Sequence, residues 1–430
     1  MTTTTNTLTQ PWQPAQKWAF RFFLIWFVLF IFLNPNGGAP LLNETYDLYI
    51  QPMHSFIVWL GANVLHLKSP ITAFTGGSGD TTYDYVILLF ITVVSLVSAT
   101  LWSAVSTKPI SYDRLYYWLL VVLRFYVGIT MLSYGSVKII KLQFPAPGPY
   151  RLLEPYGDSS PMGLAWTFIG YSKGYNYFTG IAEFACGLLL LFRKTTLLGA
   201  VIAFTVIANI AAINYCYDIP VKIVSSTLLA MTVFILMKDI KRIMDFFIYN
   251  RVAEPSNIKD RRFQKRWKNI TLISVKYVLI VYVFYTTLWG AIQSIPYGDD
   301  AKRPVMYGIF NTQTFVLKKD TLAPLTTDTT RWRRIVITGR GSVRINYMDD
   351  STSNYSFKDD TIKKLITMGS FKDTTRKYVF KYTLSKDSVL HIDGIGPHGE
   401  LSATLKRYNE KKFLLMRRGF HWVNEVPFNK

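Results

Sequence analysis

The chain has 430 residues, 50% of them hydrophobic and 17% charged, a balance that excludes disordered, collagen-like and wholly soluble classes and fits a membrane protein carrying a soluble part. A net charge of +21 would suggest nucleic acid in a soluble protein, but here it sets membrane topology, so no nucleic-acid partner is expected. Two cysteines, Cys186 and Cys216, lie in or beside apolar segments, and no histidine pair has an HExxH-like spacing, which leaves no disulfide framework and no metal site.

Seven apolar stretches approach or reach the roughly 20 residues that a hydrocarbon core of about 30 Å requires. They lie near residues 18 to 34, 83 to 105, 115 to 140, 176 to 192, 195 to 214, 220 to 237 and 270 to 292. The first is bulky and aromatic (FFLIWFVLFIF) and lacks a small-residue cleavage site, so it reads as a retained helix rather than a signal peptide. Lys17, Lys108 with Arg114, Arg193 with Lys194, and the run from Lys238 to Lys268 fall on alternate sides of the spans, and the last run holds ten basic residues against four acidic ones. Positive loops stay inside. The amino terminus is therefore expected in the cytoplasm and, with seven spans, the carboxyl terminus outside. Low cysteine use and the lack of an organelle-type targeting segment fit a bacterial inner membrane with the carboxyl-terminal domain in the periplasm.

Two outer loops exceed what a connection needs. Met53 to Leu67 is too short to span but apolar enough to lie in the interface or re-enter the bundle, with His54 and His66 at its ends as polar anchors at the water boundary. Lys141 to Tyr175 carries Pro145, Pro147, Pro149, Pro155 and Pro161, which preclude a continuous helix and predict an ordered cap over the outer mouth.

Ionisable residues inside a span are costly and by default face the bundle interior. Arg124, Gly128, Met131, Gly135 and Lys138 follow a 4-3-4-3 spacing that places them on one helix face. Gly180, Glu183 and Gly187 repeat the pattern on the next span, where glycine permits close helix approach and Glu183 needs a partner. Asn209, Asn214, Asp218 and Lys222 complete the set. Lys138, Glu183, Asn209, Asn214, Asp218 and Lys222 fall in the outer half, and Arg124 lies nearer the middle. They read either as a polar network joining helices or as a small pocket open to the outer face, able to hold a headgroup, an anion or a quinone carbonyl.

Beyond about Tyr297 the pattern changes to period-two strands: 308 to 317, 333 to 339, 342 to 348, 378 to 384, 388 to 394, 400 to 407 and 412 to 418. Short sequential strands predict an antiparallel sandwich or small up-and-down barrel, interrupted by one helix near Thr361 to Met368 after Asp359 and Asp360. The ending RRGFHWVNEVPFNK is either a core-closing tail with a tryptophan plug or a ligand or partner contact formed by Arg418, His421, Trp422 and Glu425. The expected divisions are residues 1–114 (first helices with an outer loop), 115–240 (a four-helix bundle), 241–292 (basic loop and last span) and 293–430 (β domain).

Four segments together resemble the DoxX-like membrane proteins: RFYVGITMLSYGSVKII (124 to 140), PYGDSSPMGLAWTFIGYS (155 to 172), YFTGIAEFACGLLLLFRKTTLLGA (177 to 200) and ANIAAINYCYDIPVK (208 to 222). The resemblance covers about a quarter of the chain. It implies a four-helix core and, through the thiosulfate:quinone oxidoreductase subunit that gives the family its name, a redox-linked accessory role with a quinone-type or lipid-like ligand at Arg124, Lys138, Glu183, Asn209, Asn214, Asp218 and Lys222. A helical bundle followed by an outer β domain is also distantly similar to the vitamin K-dependent carboxylase superfamily, with no local motif to carry over its catalytic lysine. No haem, flavin or iron-sulfur ligand set is visible, so electrons would come from a partner protein in the membrane or periplasm. The alternatives are a small-solute transporter and an envelope assembly protein whose β domain binds a partner.

Overall fold

The computed structural model describes residues 12–34, 38–68, 71, 79–106, 110–254, 263–299, 301–339, 341–371 and 377–429, apart from the side chains of Leu41 and Asn43. Two compact units emerge: Met1–Phe144 with Pro161–Ser294, and Pro145–Ser160 with Ile295–Lys430.

The first unit is helical: α1 (Pro14–Leu33), α2 (Pro40–Asn63), α3 (Thr82–Val105) and α4 (Tyr112–Ile139). After α5 (Pro149–Leu153), which belongs to the second unit, it continues with α6 (Pro161–Tyr171), α7 (Lys173–Leu191), α8 (Thr196–Cys216), α9 (Lys222–Met237), α10 (Ile240–Phe247) and α11 (Arg266–Ser294). Prolines open α1, α2, α5 and α6, where a missing N–H costs nothing. Thr81 and Asp84 cap α3 reciprocally, the Thr81 N–H donating to Asp84 at 2.8 Å and the Asp84 N–H to Thr81 at 3.3 Å.

Five described helices are long and apolar enough to cross a membrane: α1, α3, α4, α8 with its leading turn, and α11. The bent pair α9 and α10, at 76°, makes a sixth if counted as one span. The stretch expected at 176 to 192 forms α7, which is not among them. Its polar residues Asn176 and Glu183 are buried within the bundle. Met53 to Asn63 is the later part of a longer helix, α2, whose Ile57 packs with Tyr83 and Val86 of α3, while residues 64–67, with His66, lie beyond its end.

Lipid tails are as apolar as leucine, so helix pairs in a bilayer are held by close packing rather than by the hydrophobic effect. The α4 and α7 contact shows this. Gly128 faces Gly187 and Gly135 faces Gly180 in antiparallel register: a Cβ at Gly135 would lie 2.7 Å from the Gly180 carbonyl oxygen, and one at Gly187 2.6 Å from that of Gly128. Antiparallel α1 and α3 are joined by indole hydrogen bonds from Trp18 to Thr100 (3.2 Å) and Trp26 to Thr92 (3.1 Å). Parallel α1 and α4 are tied by Trp12 to Asp113 (2.9 Å) near their starts and by the Tyr126 hydroxyl to the Asn34 carbonyl (2.7 Å) where α1 ends. One end of the bundle thus gathers the end of α1 with the beginnings of α3 and α9.

The second unit is an antiparallel barrel. Its strands are β1 (Gly308–Leu317), β2 (Asp320–Thr321), β3 (Trp332–Ile337), β4 (Ser342–Tyr347), β5 (Thr352–Asp360), β6 (Leu365–Ser370), β7 (Lys377–Leu384), β8 (Val389–Gly396) and β9 (Gly399–Tyr408), followed by a short helix, α12 (Leu414–Arg418). β2 is a short hairpin flap on β1. The other eight strands run as a meander, and β9 pairs with β1 from Ile309↔Tyr408 to Leu317↔Leu401, closing the sheet. Closure removes the exposed edges that an open sheet would have to protect. The interior is filled by one alternating set, including Phe310, Phe315, Trp332, Tyr355, Tyr378, Phe380 and Leu405.

Three expectations are corrected here. The helix predicted at 361 to 368 is a turn leading into β6. The Asp360 carboxylate accepts from the N–H groups of Ile362 (3.1 Å) and Lys363 (2.9 Å), capping a turn and not a helix. The strand predicted at 412 to 418 is replaced by α12, and a strand not foreseen, β5, occupies 352 to 360. The proline-rich stretch expected as a single cap divides: α6 stays with the helices, while Pro145–Ser160 packs on the barrel, where the Tyr150 hydroxyl donates to the Val336 carbonyl (3.4 Å) and Arg344 lies 4.2 Å from the Tyr150 ring centre.

Candidate functional site

The predicted polar residues do not form one site. On α4, Lys138 lies 14 residues beyond Arg124, a separation of about 21 Å along the helix axis. Arg124 donates to the Thr196 hydroxyl at the start of α8 (3.1 Å). Lys138 instead meets Glu183 of α7 at 2.5 Å, with side chains only 9% and 2% exposed. Phe144, whose ring centre is 5.8 Å from the Lys138 ammonium, packs edge-on to Trp166 of α6 and covers the pair. Nearby, Asn176 donates to the Phe144 carbonyl (2.9 Å) and Lys141 to the Gly170 carbonyl (3.1 Å). The expectation of an open pocket at Lys138 and Glu183 therefore gives way to a sealed ion pair, with one Glu183 oxygen unpartnered among the described residues.

A second cluster sits at the start of α9. The Asp80 carboxylate accepts from the N–H groups of Lys222 (2.6 Å) and Ile223 (2.9 Å), capping the helix. Lys222 also pairs with Asp218 at 3.0 Å, but the Asp218 side chain is 86% exposed. Asn214 is buried and reaches only the Val221 carbonyl (3.5 Å), while Asn209 is exposed. Sequence reasoning grouped these four with Lys138 and Glu183; no hydrogen bond or ion pair joins the two groups among the described residues.

A cavity of the bundle lies elsewhere among the described residues, where charge counting did not point. It measures about 180 Å³ and lies between the end of α1 (Phe30, Leu33, Asn34), Tyr46 of α2, the first half of α3 (Tyr83, Asp84, Ile87, Leu88, Ile91) and Ile223 of α9. Most of the lining is aliphatic and aromatic, and Asn34, Tyr46, Tyr83 and Asp84 are the lining residues with polar side-chain groups. Asp84 is committed to capping α3. The Tyr83 hydroxyl is hydrogen-bonded to Nδ1 of buried His54, which is thus no water-boundary anchor. The Asn34 side chain has no hydrogen-bond partner among the described residues. An engineered cavity of about 150 Å³ accepts benzene, so this one has room for a single ring or a few carbons of a chain.

A stretch of 124 residues, 29% of the chain, is 36% identical to the uncharacterized protein YwoB of Bacillus subtilis (strain 168) and covers 79% of that protein. The chain belongs to the YwoB family. No family profile matches the chain, and no solved structure matches it.

In this YwoB-family chain the barrel carries a smaller cavity than the one between α1, α2, α3 and α9. Its packed interior leaves about 50 Å³ at one mouth, bordered by Thr329, Thr330, Tyr347, Tyr378 and His398. Burial pushes the Tyr347 phenol up to about 12, with the hydrogen bond that Tyr347 donates to Tyr355 adding to it, and burial with neighbouring Tyr355 and Tyr347 raises Tyr378 further. The carboxyl-terminal residues do not close the core: Trp422 is 91% exposed. Nor are Arg418, His421 and Glu425 assembled as a contact triad. Arg418 donates to Asn424 (2.5 Å) and lies 4.2 Å from the Phe428 ring centre, while the His421 and Glu425 side chains are exposed. Among the described residues, no group of three or more His, Cys, Asp or Glu could hold a metal ion.

Proposed function

We propose that this chain is a DoxX-like membrane protein that binds a lipid-like or quinone-type amphiphile in the cavity between α1, α2, α3 and α9. In this reading α7 is the seventh span. Its buried polar residues, Glu183 against Lys138 of α4 and Asn176 against the Phe144 carbonyl, face protein and not lipid, so it does not need the hydropathy of a lipid-exposed helix. The amino terminus faces the cytoplasm, the barrel faces the periplasm, and the cavity opens in the outer half of the bundle. The observation that carries the reading is the composition of the cavity lining, in which the apolar Phe30, Leu33, Ile87, Leu88 and Ile91 are joined by Asn34, Tyr46 and Tyr83. A small apolar site with a few placed polar groups suits a ligand with a hydrocarbon body and a hydrogen-bonding head. A quinone would make the protein a redox-linked accessory subunit that receives electrons from a partner.

Organic extraction of the purified protein followed by mass spectrometry identifies any retained amphiphile, and a short-chain quinone or phospholipid added to stripped protein should raise its melting temperature. At 100 times the dissociation constant the stabilisation is about 2.7 kcal/mol. Ile223→Trp, at a half-buried wall position, should fill the cavity and abolish that shift while leaving the ligand-free melt unchanged. An undiminished shift in Ile223→Trp, or no response to any amphiphile, refutes the assignment.

A further inference from the structure

The carboxyl-terminal segment after β9 departs from the rest of the barrel. Barrel side chains alternate between a filled interior and a polar exterior, but here the large apolar side chains point into solvent: Trp422 is 91% exposed, Phe420 76%, Val426 75% and Val423 73%. Basic residues accompany them, with Lys411, Lys412, Arg417 and Arg418 beside Leu415 and Met416. The segment has its own order. The rings of Phe420 and Trp422 meet edge-on at 5.0 Å, Arg418 binds Asn424, and Asn424 donates to the His421 carbonyl (3.3 Å). Exposed large apolar side chains gathered in one segment and accompanied by basic residues are the pattern of an interaction surface.

The pairing of the barrel tells where this segment emerges. Tyr408, the last residue of β9, lies opposite Ile309 at the start of β1. The tail therefore leaves the barrel by the mouth at which residues 295–307 bring the chain in from α11, and Arg407 donates to the Val305 carbonyl in that connection (2.6 Å). In sequence, only residues 295–307 separate β1 from α11, a helix long and apolar enough to cross a membrane. Tryptophan and phenylalanine flanked by lysine and arginine match a headgroup region, where aromatic rings sit at the interface and cations meet anionic lipid.

We propose that residues 411–429 form a second, peripheral membrane contact that seats Phe420, Trp422, Val423 and Val426 in the headgroup layer of an anionic bilayer. Lys411, Lys412, Arg417 and Arg418 supply the charge complementarity. The contact is independent of the cavity in the helices, and neither assignment depends on the other.

The test places a nitroxide at Val423→Cys in the full-length protein carrying Cys216→Ser; Cys186 is wholly buried. A second label at Asp350→Cys, in an exposed turn of the barrel, serves as the aqueous reference. In nanodiscs of phosphatidylcholine with phosphatidylglycerol, residue 423 should lose collisions with a water-soluble nickel complex relative to residue 350 while keeping access to oxygen. High salt, phosphatidylcholine alone, or the four cations changed to glutamine should each restore nickel access. Phe420→Ser with Trp422→Ser should restore it too, with the cations retained. Equal nickel access at 423 and 350 in both lipids overturns the proposal. Protection from nickel and oxygen together, the signature of a protein surface such as a second copy, overturns it as well.

Discussion

The pair Lys138 and Glu183 makes a demand on stability that can be measured. At 2.5 Å and an effective dielectric of about 20, the attraction of two unit charges is on the order of 7 kcal/mol before desolvation is subtracted. Because both side chains are buried, Glu183→Gln strands an ammonium under Phe144 and Trp166, and breaking such a pair costs about 3–5 kcal/mol. Lys138→Met alone strands the carboxylate and should cost a similar amount. The double variant leaves neither charge, and replacing a whole buried pair is often neutral or nearly so. A double-mutant cycle by steric trapping in bicelles should therefore give a coupling of about 2 kcal/mol or more, well above the average of about 0.6 kcal/mol for interhelical hydrogen bonds in a membrane protein. Additive losses, or a coupling near that average, would refute the reasoning, since the pair would then be an ordinary hydrogen bond and not a mutually neutralising one.

Gly135→Ala and Gly187→Ala should each destabilise the bundle by about 1–3 kcal/mol, the cost of overpacking, because each new methyl falls within 2.7 Å of backbone on the facing helix. Gly174→Ala and Gly290→Ala, with nothing within 4 Å, should be near neutral in the same unfolding assay. The barrel should weaken in alkali. Tyr347 and Tyr378 ionise with more difficulty folded than unfolded, so the stability they confer is complete below about pH 10 and is lost as pH rises towards about 12; a thermal melt of the barrel that does not fall between pH 9 and 12 contradicts this. Cysteines at Val252 and Asp350, both well exposed, should differ in intact spheroplasts: a membrane-impermeant maleimide should label only the second, and equal labelling overturns the seven-span orientation.

Much of the architecture was legible where one physical rule dominates a segment. β7 reads KYVFKYTL and buries every second residue up to Tyr382, and β1 runs over the predicted 308 to 317. The glycines of α4 and α7 announced a close crossing, and Glu183 in a predicted span required a cation nearby. Failures arose where a local signal was ambiguous. Strand β5, TSNYSFKDD, buries only Tyr355 and Phe357, too few to mark a strand, and Asp360 looks the same whether it caps a turn or a helix. Short apolar runs such as FLLM fit strand and helix equally well.

The site was less legible than the fold for a different reason. Counting ionisable residues finds places where charge must be neutralised, and neutralisation favours a closed, well-packed pair such as Lys138 with Glu183. An amphiphile needs the opposite: unfilled volume with modest polarity at its edge, assembled from residues that look ordinary in sequence. Phe30, Tyr83 and Ile223 come from helices far apart in the chain, and no local pattern records that their side chains leave space between them. Where a buried charge is already paired, as Lys138 is with Glu183, the place to look for binding is therefore the packing defect and not the charge.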